Sequence, residues 1–222
     1  MIAERRLSIL GGISGIVGTL CYIIGITMSF SPALTYAVVM AWPVLSIVFA
    51  FALNRCVALE KDTASNQLAF VFACLGFTLV ASMMSVQLAV ETGMDSSITN
   101  APGSQQELLT TAKHSMRWID LGIDVAWDIF IGTALLFLSI VLSVDTRFGF
   151  WWGIPSGLLG AALIIFNTFT FPWPPAEQGL VDIGPVIGLF IIALSARLLM
   201  PWKHLRATST PIAGSRSIRG RS

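Results

Sequence analysis

Six long apolar runs recur along the chain, and they restrict its fold more than any other feature. An α-helix needs about 20 residues to cross the ~30 Å hydrocarbon core of a bilayer. Hydrophobic residues make up 55% of the 222 residues and charged residues 11%, whereas soluble domains average about 25% charged residues. We therefore predict an all-α integral membrane protein, a bundle of six transmembrane helices within residues 1–202. The predicted spans lie near 7–29, 33–53, 68–90, 121–144, 151–171 and 183–200.

The basic residues predict the orientation of this bundle. Six spans bring both termini to the same side of the membrane, and of the 13 Lys and Arg residues only Lys113 and Arg117 fall on the other side. Cytoplasmic segments are enriched in Lys and Arg, so we expect both termini in the cytoplasm. Residues 203–222 are rich in Ser, Gly and Arg, and this composition is typical of a disordered basic tail.

The connection between the third and fourth spans, residues 92–118, is the predicted long outer loop. Its first part is rich in Gly, Ser, Asn and Pro, which favours turns and coil. Ser104 and Glu107 have the spacing of a capping box, so we predict that a short surface helix begins at Ser104, either separate from the fourth span or continuous with it.

Small residues are spaced four apart in the first and fifth spans. Gly11 and Gly15 form one GxxxG pattern, and Gly153 and Gly157 form another. This spacing lets membrane helices approach closely, so both spans are expected to pack tightly against neighbours.

Three aspartates continue from the outer loop into the fourth span. Asp120, Asp124 and Asp128 are four residues apart, which predicts one polar stripe that descends about 12 Å along a helix. A carboxylate at the bilayer centre costs roughly 2.5–3.5 kcal/mol on insertion scales, so it is expected to face protein or water and to have a partner. The stripe stops near mid-depth, which predicts a pocket that opens to the outside.

We expect this acidic pocket to bind a small molecule or a cation, because a bound cation would relieve the repulsion between crowded carboxylates. His114 and Gln87 are further candidate partners, and the Trp127 indole is expected to point elsewhere on the helix. The predicted pocket residues are Asp124, Asp128, Asp120, Glu91, Asn167 and Arg117.

A proline-rich connection precedes the last span. Glu177 and Asp182 lie in it and predict an acidic lid above the aspartates, provided that the fourth and sixth spans are neighbours. Two other roles remain open, since Asp182 has the position of a helix N-cap and Glu177 that of a solvated loop charge.

Several site classes are excluded by the residues present. The two histidines, His114 and His204, fall on opposite sides of the predicted bundle, which excludes a three-histidine zinc site. The chain has no phosphate-binding glycine loop and no nucleophile elbow. Cys21, Cys56 and Cys74 have no spacing typical of a disulfide framework or a thiolate site. Neither a cofactor nor a metal is named by the sequence, and nothing in it indicates binding to nucleic acid.

Three functions fit these observations. The first is a protein that binds a small molecule or cation, such as a transporter or a transporter subunit. The second is a structural or accessory protein whose polar stripe docks a partner helix. The third, ranked last, is an enzyme that uses a carboxylate pair either as acid and base or as ligands of a divalent metal. The bilayer is one partner in each case, and homo-oligomers or complexes with another membrane protein are open alternatives.

The C-terminal half resembles hypothetical bacterial six-helix membrane proteins of the domain-of-unknown-function type. The resemblance rests on the proline-rich connection and the start of the last span. It implies a six-helix fold and a bacterial inner membrane, and it implies no activity. The matching residues are Phe171, Pro172, Pro174, Pro175, Ala176, Glu177, Gly179, Asp182, Gly184 and Pro185.

Overall fold

The computed structural model describes residues 2–59 and 62–201, and this part of the chain is helical with no strand. The all-α prediction is therefore confirmed for the described residues. The elements are α1 (Ile2–Thr27), α2 (Pro32–Ala58), α3 (Ala64–Asn100), α4 (Gly103–Val144), α5 (Phe150–Thr170), the 3-10 helix η1 (Pro175–Gln178) and α6 (Gly184–Leu199).

The helices have the length and composition of membrane spans. Five of the described helices, α1 to α5, are long and apolar enough to cross a membrane, and α6 is shorter with 16 residues. Large apolar side chains cover the outer surface, while polar side chains such as Ser46, Asn66 and Ser195 are buried to 1% exposure or less. An apolar exterior around buried polar groups is typical of a multi-pass membrane protein, because lipid replaces water as the surrounding solvent.

The predicted coil at the start of the outer loop is wrong. Helix α3 has 37 residues and continues to Asn100, and α4 has 42 residues and begins at Gly103. They are about 55 and 63 Å long, so both extend well beyond a ~30 Å hydrocarbon core. The predicted capping box is also wrong, because the N-cap is Pro102 and Ser104 lies inside the first turn.

Pairing between the two helices explains this extension. Helices α3 and α4 pack against each other along their lengths, and the Lys113 Nζ–Asp95 Oδ1 ion pair of 2.5 Å joins them beyond the bundle. The hydroxyls of Ser97 and Thr99 donate to carbonyls four residues earlier in α3. Packing of the pair therefore overrides the turn preference of these residues.

Helix direction defines two ends of the bundle. The hairpin end holds the turn at residues 101–102 and η1, and the terminal end holds the start of α1 and the end of α6. Among the described basic residues, Arg5, Arg55, Arg147 and Arg197 lie at the terminal end. Lys61 and the predicted tail, 203–222, lie outside the described residues.

Close helix contacts confirm the expectation from the small-residue patterns. A Cβ added to Gly11 would lie 2.3 Å from the Ala52 Cβ of α2, and one added to Gly15 would lie 2.0 Å from the Ser195 Oγ of α6. A Cβ on Gly153 would lie 1.9 Å from the Ser143 Oγ of α4. Helix α1 therefore fits between α2 and α6, and α5 fits against α4.

The helix order leaves a gap inside the bundle. Consecutive helices pack together from α1 to α5, whereas α6 packs on α1. In the described part of the chain, α6 has no extended contact with α4 or α5 along their lengths. At the terminal end Arg197 closes the seam, since its Nε donates to the Arg147 carbonyl over 3.1 Å. Toward the hairpin end the seam stays open and forms a pocket.

Candidate functional site

The pocket lies in the hairpin half of the bundle and has a volume of about 510 Å³. All helices contribute to its walls, and η1 covers it at the hairpin end. Four of the predicted site residues line it: Asp124, Asp128, Asn167 and Asp182. These residues come from three different segments, and the fold brings them to one pocket wall.

Asp128 is the deepest of these acids and is 7% exposed. The Asn167 side chain lies beside its carboxylate in the same wall. Asn167 is 1% exposed, and its Nδ2 also donates to the Leu163 carbonyl over 2.9 Å. Its Oδ1 is buried and accepts no hydrogen bond. A buried acceptor without a donor is uncommon, because it loses the hydrogen bonds that water would provide.

Asp124 lies one turn nearer the hairpin end and is held by its own helix. The Trp127 indole Nε1 donates to Asp124 Oδ1 over 2.7 Å. The expectation that Trp127 points elsewhere is wrong, because residues three apart are neighbours on a helix surface. This bond fixes the carboxylate toward the pocket and turns the indole into part of the same wall.

Asp120 does not belong to this pocket. It accepts a 2.7 Å hydrogen bond from Gln87 Nε2 of α3, and it lines a separate cleft between α3 and α4 together with Glu91 and Arg117. The predicted single pocket is therefore divided between two places. Each four-residue step turns a helix by 400°, which is 40° more than a full turn. Two steps separate Asp120 from Asp128, so their directions differ by about 80°. That rotation directs Asp120 toward α3 and Asp128 toward the bundle interior.

The two lid residues have different surroundings. Glu177 forms an ion pair with Arg117 of α4 and does not line the pocket. Asp182 lines the pocket, and its Oδ1 accepts a 2.9 Å hydrogen bond from the Gly184 backbone N–H. It thus caps the start of α6 in part, although Ile183 occupies the N-cap position itself.

The connection after α5 is fixed over the hairpin end of the pocket. Pro174, Pro175 and Ala176 form this part of the wall. The rings of Trp118 in α4 and Trp173 pack edge to face with centroids 4.9 Å apart, beside the Arg117–Glu177 pair. An edge-to-face aromatic pair and an ion pair therefore hold the cover in place.

An aromatic cluster forms the wall that the sequence did not predict. Trp42 of α2 is central, with ring centroids 4.3 Å from Tyr22 and 6.3 Å from Trp127. Its Nε1 is buried and has no hydrogen-bond partner. The sequence contains one indication of this aromatic wall. Trp42 lies in the middle of a predicted span, whereas tryptophan usually concentrates at the membrane interfaces.

A second cavity of about 70 Å³ continues toward the terminal end. Its walls are almost entirely apolar, and it reaches Asn54 and Asn66 near the end of the bundle. The two cavities share four wall residues, which form an apolar layer between them: Phe77, Ile131, Ile187 and Ile191.

The chemistry of the pocket wall is acidic, aromatic and apolar. Among the described residues that line it, there is no Lys, Arg, His, Ser or Cys. In the described part of the chain, no group of three or more His, Cys, Asp and Glu residues is arranged to hold a metal ion. The wall therefore offers carboxyl groups without a basic side chain beside them.

Comparisons with known proteins identify no relative. No family model, no curated protein and no solved structure matches the chain. The function is therefore argued from the geometry and chemistry of the pocket.

Proposed function

We propose that this protein binds a small cationic solute in the acidic pocket between α4, α5 and α6. One observation carries the proposal: Asp124, Asp128 and Asp182 line the pocket, and no basic side chain among its described walls balances them. Removing a carboxylate from solvent without a partner is costly, so a bound cation would stabilise the site.

The proposed topology has six spans and both termini in the cytoplasm of a bacterial inner membrane. Arg5, Arg55, Arg147 and Arg197 at the terminal end support this orientation through the positive-inside rule. Helix α6 is about 24 Å long, so its inclusion as a span requires local thinning of the bilayer or support by α1. The pocket then opens toward the outer side.

Transport is supported over simple binding by the second cavity. The two cavities follow one another along the bundle and are separated by the apolar layer that includes Phe77 and Ile131. A solute at Asp128 would have to pass this layer, and the second cavity would have to widen to receive it. Such a layer can act as a gate that opens when the helices shift.

The two alternative functions have less support. A docking stripe requires exposed carboxylates, but Asp128 is buried and Asp120 is bonded to Gln87 within the same chain. An enzyme would have Asp124 and Asp128 as its acid and base. Its pocket has no Ser, Cys or His among the described wall residues to act as a nucleophile.

The experiment is a binding titration of detergent-purified protein with a panel of inorganic and organic cations. We expect wild type and Asp120→Asn to bind the same cation with similar affinity, whereas Asp128→Asn binds it at least tenfold more weakly. Asp120→Asn is the matched control, because Asp120 lies on the same helix as Asp128 but its side chain faces α3 and not the pocket. Equal affinity in all three proteins would contradict the proposal. Uptake of that cation into proteoliposomes would then separate a transporter from a binding protein.

A further inference from the structure

The size of the pocket indicates what kind of cation it holds. A volume of about 510 Å³ is within the range of pockets for small organic ligands, which is roughly 300–1,000 Å³. A bare metal ion would leave most of this space empty. The absence of a three-ligand metal cluster among the described residues agrees with an organic ligand.

The aromatic wall suits an organic cation. Tyr22, Trp42 and Trp127 line the pocket on the side of α1, α2 and α4. The faces of such rings attract ammonium groups, and the attraction increases when water is excluded. Apolar side chains of α5 and α6 complete the wall, so an alkyl or aryl body would be buried together with the charge.

Two oxygen acceptors define the polar end of the site. The Asp128 carboxylate is 7% exposed, and the Asn167 side chain beside it is 1% exposed. Asn167 Oδ1 accepts no hydrogen bond within the protein. When the Asn167 amide turns toward the pocket, a ligand with N–H groups bonds to both acceptors, whereas a quaternary ammonium ion has no N–H to donate. The amide oxygen without a donor is a second observation besides the carboxylates, and it favours a protonated amine.

We propose that the ligand is a small protonated amine, with its ammonium group at Asp128 and Asn167 and its apolar body against Tyr22, Trp42 and Trp127. This inference rests on the proposed function and specifies the solute class. Asp124, fixed by Trp127, supplies a second negative charge near the ammonium group.

The test compares ligands of one shape and different charge on the full detergent-purified chain. Benzylammonium is the probe, benzyl alcohol is the neutral control, and sodium, potassium and calcium chlorides are the inorganic controls. Binding is measured by the shift in melting temperature and by quenching of tryptophan fluorescence. We expect benzylammonium to raise the melting temperature of wild type and Asp120→Asn, and to have no effect on Asp128→Asn. Benzyl alcohol and the salts are expected to leave the melting temperature of all three proteins unchanged.

Two further variants keep the inference testable if Asp128→Asn does not fold. Tyr22→Phe retains the ring and is expected to bind benzylammonium within about twofold of wild type. Tyr22→Leu loses the ring face and is expected to bind about fivefold more weakly. Equal affinity of these two variants would contradict a role of the aromatic wall in holding the cation.

The other outcomes separate the two proposals. If benzyl alcohol binds as well as benzylammonium, the charge is irrelevant and the amine inference is wrong. If an inorganic cation binds through Asp128 and benzylammonium does not, the solute class is wrong while the proposed function stands. If neither kind of cation binds, both proposals are overturned.

Discussion

Two buried aspartates of this protein have opposite surroundings. Asp145, at the terminal end, is 3% exposed and forms an ion pair of 2.5 Å with Arg147. Asp128 is 7% exposed and lies in a pocket without a basic residue among its described walls. The first carboxylate stabilises the turn between α4 and α5. The second places a carboxyl group in a pocket wall, and this contrast is the basis of the proposed site.

Asn54 and Asn66 form a reciprocal contact between α2 and α3. Asn54 Nδ2 donates to the Asn66 carbonyl over 3.0 Å, and Asn66 Nδ2 donates to the Asn54 carbonyl over 3.2 Å. Asn66→Ala is expected to lower the free energy of unfolding by about 1–3 kcal/mol, because it removes a buried hydrogen bond. Denaturation in detergent would measure this, with the exposed Asn100→Ala as control. Equal stability of both variants would contradict a structural role of the contact.

The sequence allowed a prediction of which residue types lie at the polar end of the pocket. It did not allow a prediction of which side chains they contact. The four-residue spacing of Asp124 and Asp128 is visible in the sequence, and both residues line the same pocket. The assignment failed at Asp120, because the direction of each side chain depends on which neighbours pack beside α4. Tyr22 and Trp42 were missed since they come from α1 and α2, and a sequence does not show which helices face each other.

Close packing between α4 and α5 provides a test at the level of elements. A Cβ added to Gly160 would lie 2.5 Å from the Gly132 carbonyl oxygen and 3.0 Å from the Leu135 Cβ. Gly160→Ala is therefore expected to destabilise the protein by about 1–3 kcal/mol, because the helices must separate.

The matched control for this change is Gly122→Ala, in the same helix pair. No heavy atom lies within 4 Å of a Cβ added at Gly122. Alanine is the better helix former by up to about 1 kcal/mol, so this variant is expected to be at least as stable as wild type. Melting curves of the two variants in one detergent would compare them, and a stable Gly160→Ala would refute the close α4–α5 contact.

The lengths of α3 and α4 could not be read from the sequence. The apolar parts predicted their membrane sections, because hydrophobicity is a local property. Residues 92–100 contain Gly, Ser and Asn, whose local preference is for turns. Their helical state depends on pairing with α4, which is a tertiary effect that hydropathy does not record.

The orientation of the whole molecule is a separate prediction. Ser97 lies in the α3 part of the hairpin, and Asp62 lies in the connection between α2 and α3 at the terminal end. Single-cysteine variants Ser97→Cys and Asp62→Cys, in a protein whose three native cysteines are replaced by alanine, would report the two sides. We expect a membrane-impermeant maleimide to label Ser97→Cys in intact cells and Asp62→Cys only in permeabilised cells. The reverse pattern would invert the proposed topology.

The central claim is that Asp128 is retained for ligand binding at a cost in stability. Its most direct test is the melting temperature of the ligand-free protein with Asp128→Asn, compared with Asp145→Asn. Loss of the paired Asp145 charge is expected to lower the melting temperature on the order of 10 °C, because it removes a buried carboxylate that forms an ion pair with Arg147. Asp128→Asn is expected to melt at the wild-type temperature or above it. A decrease as large as that of Asp145→Asn would identify Asp128 as a structural residue and contradict the account.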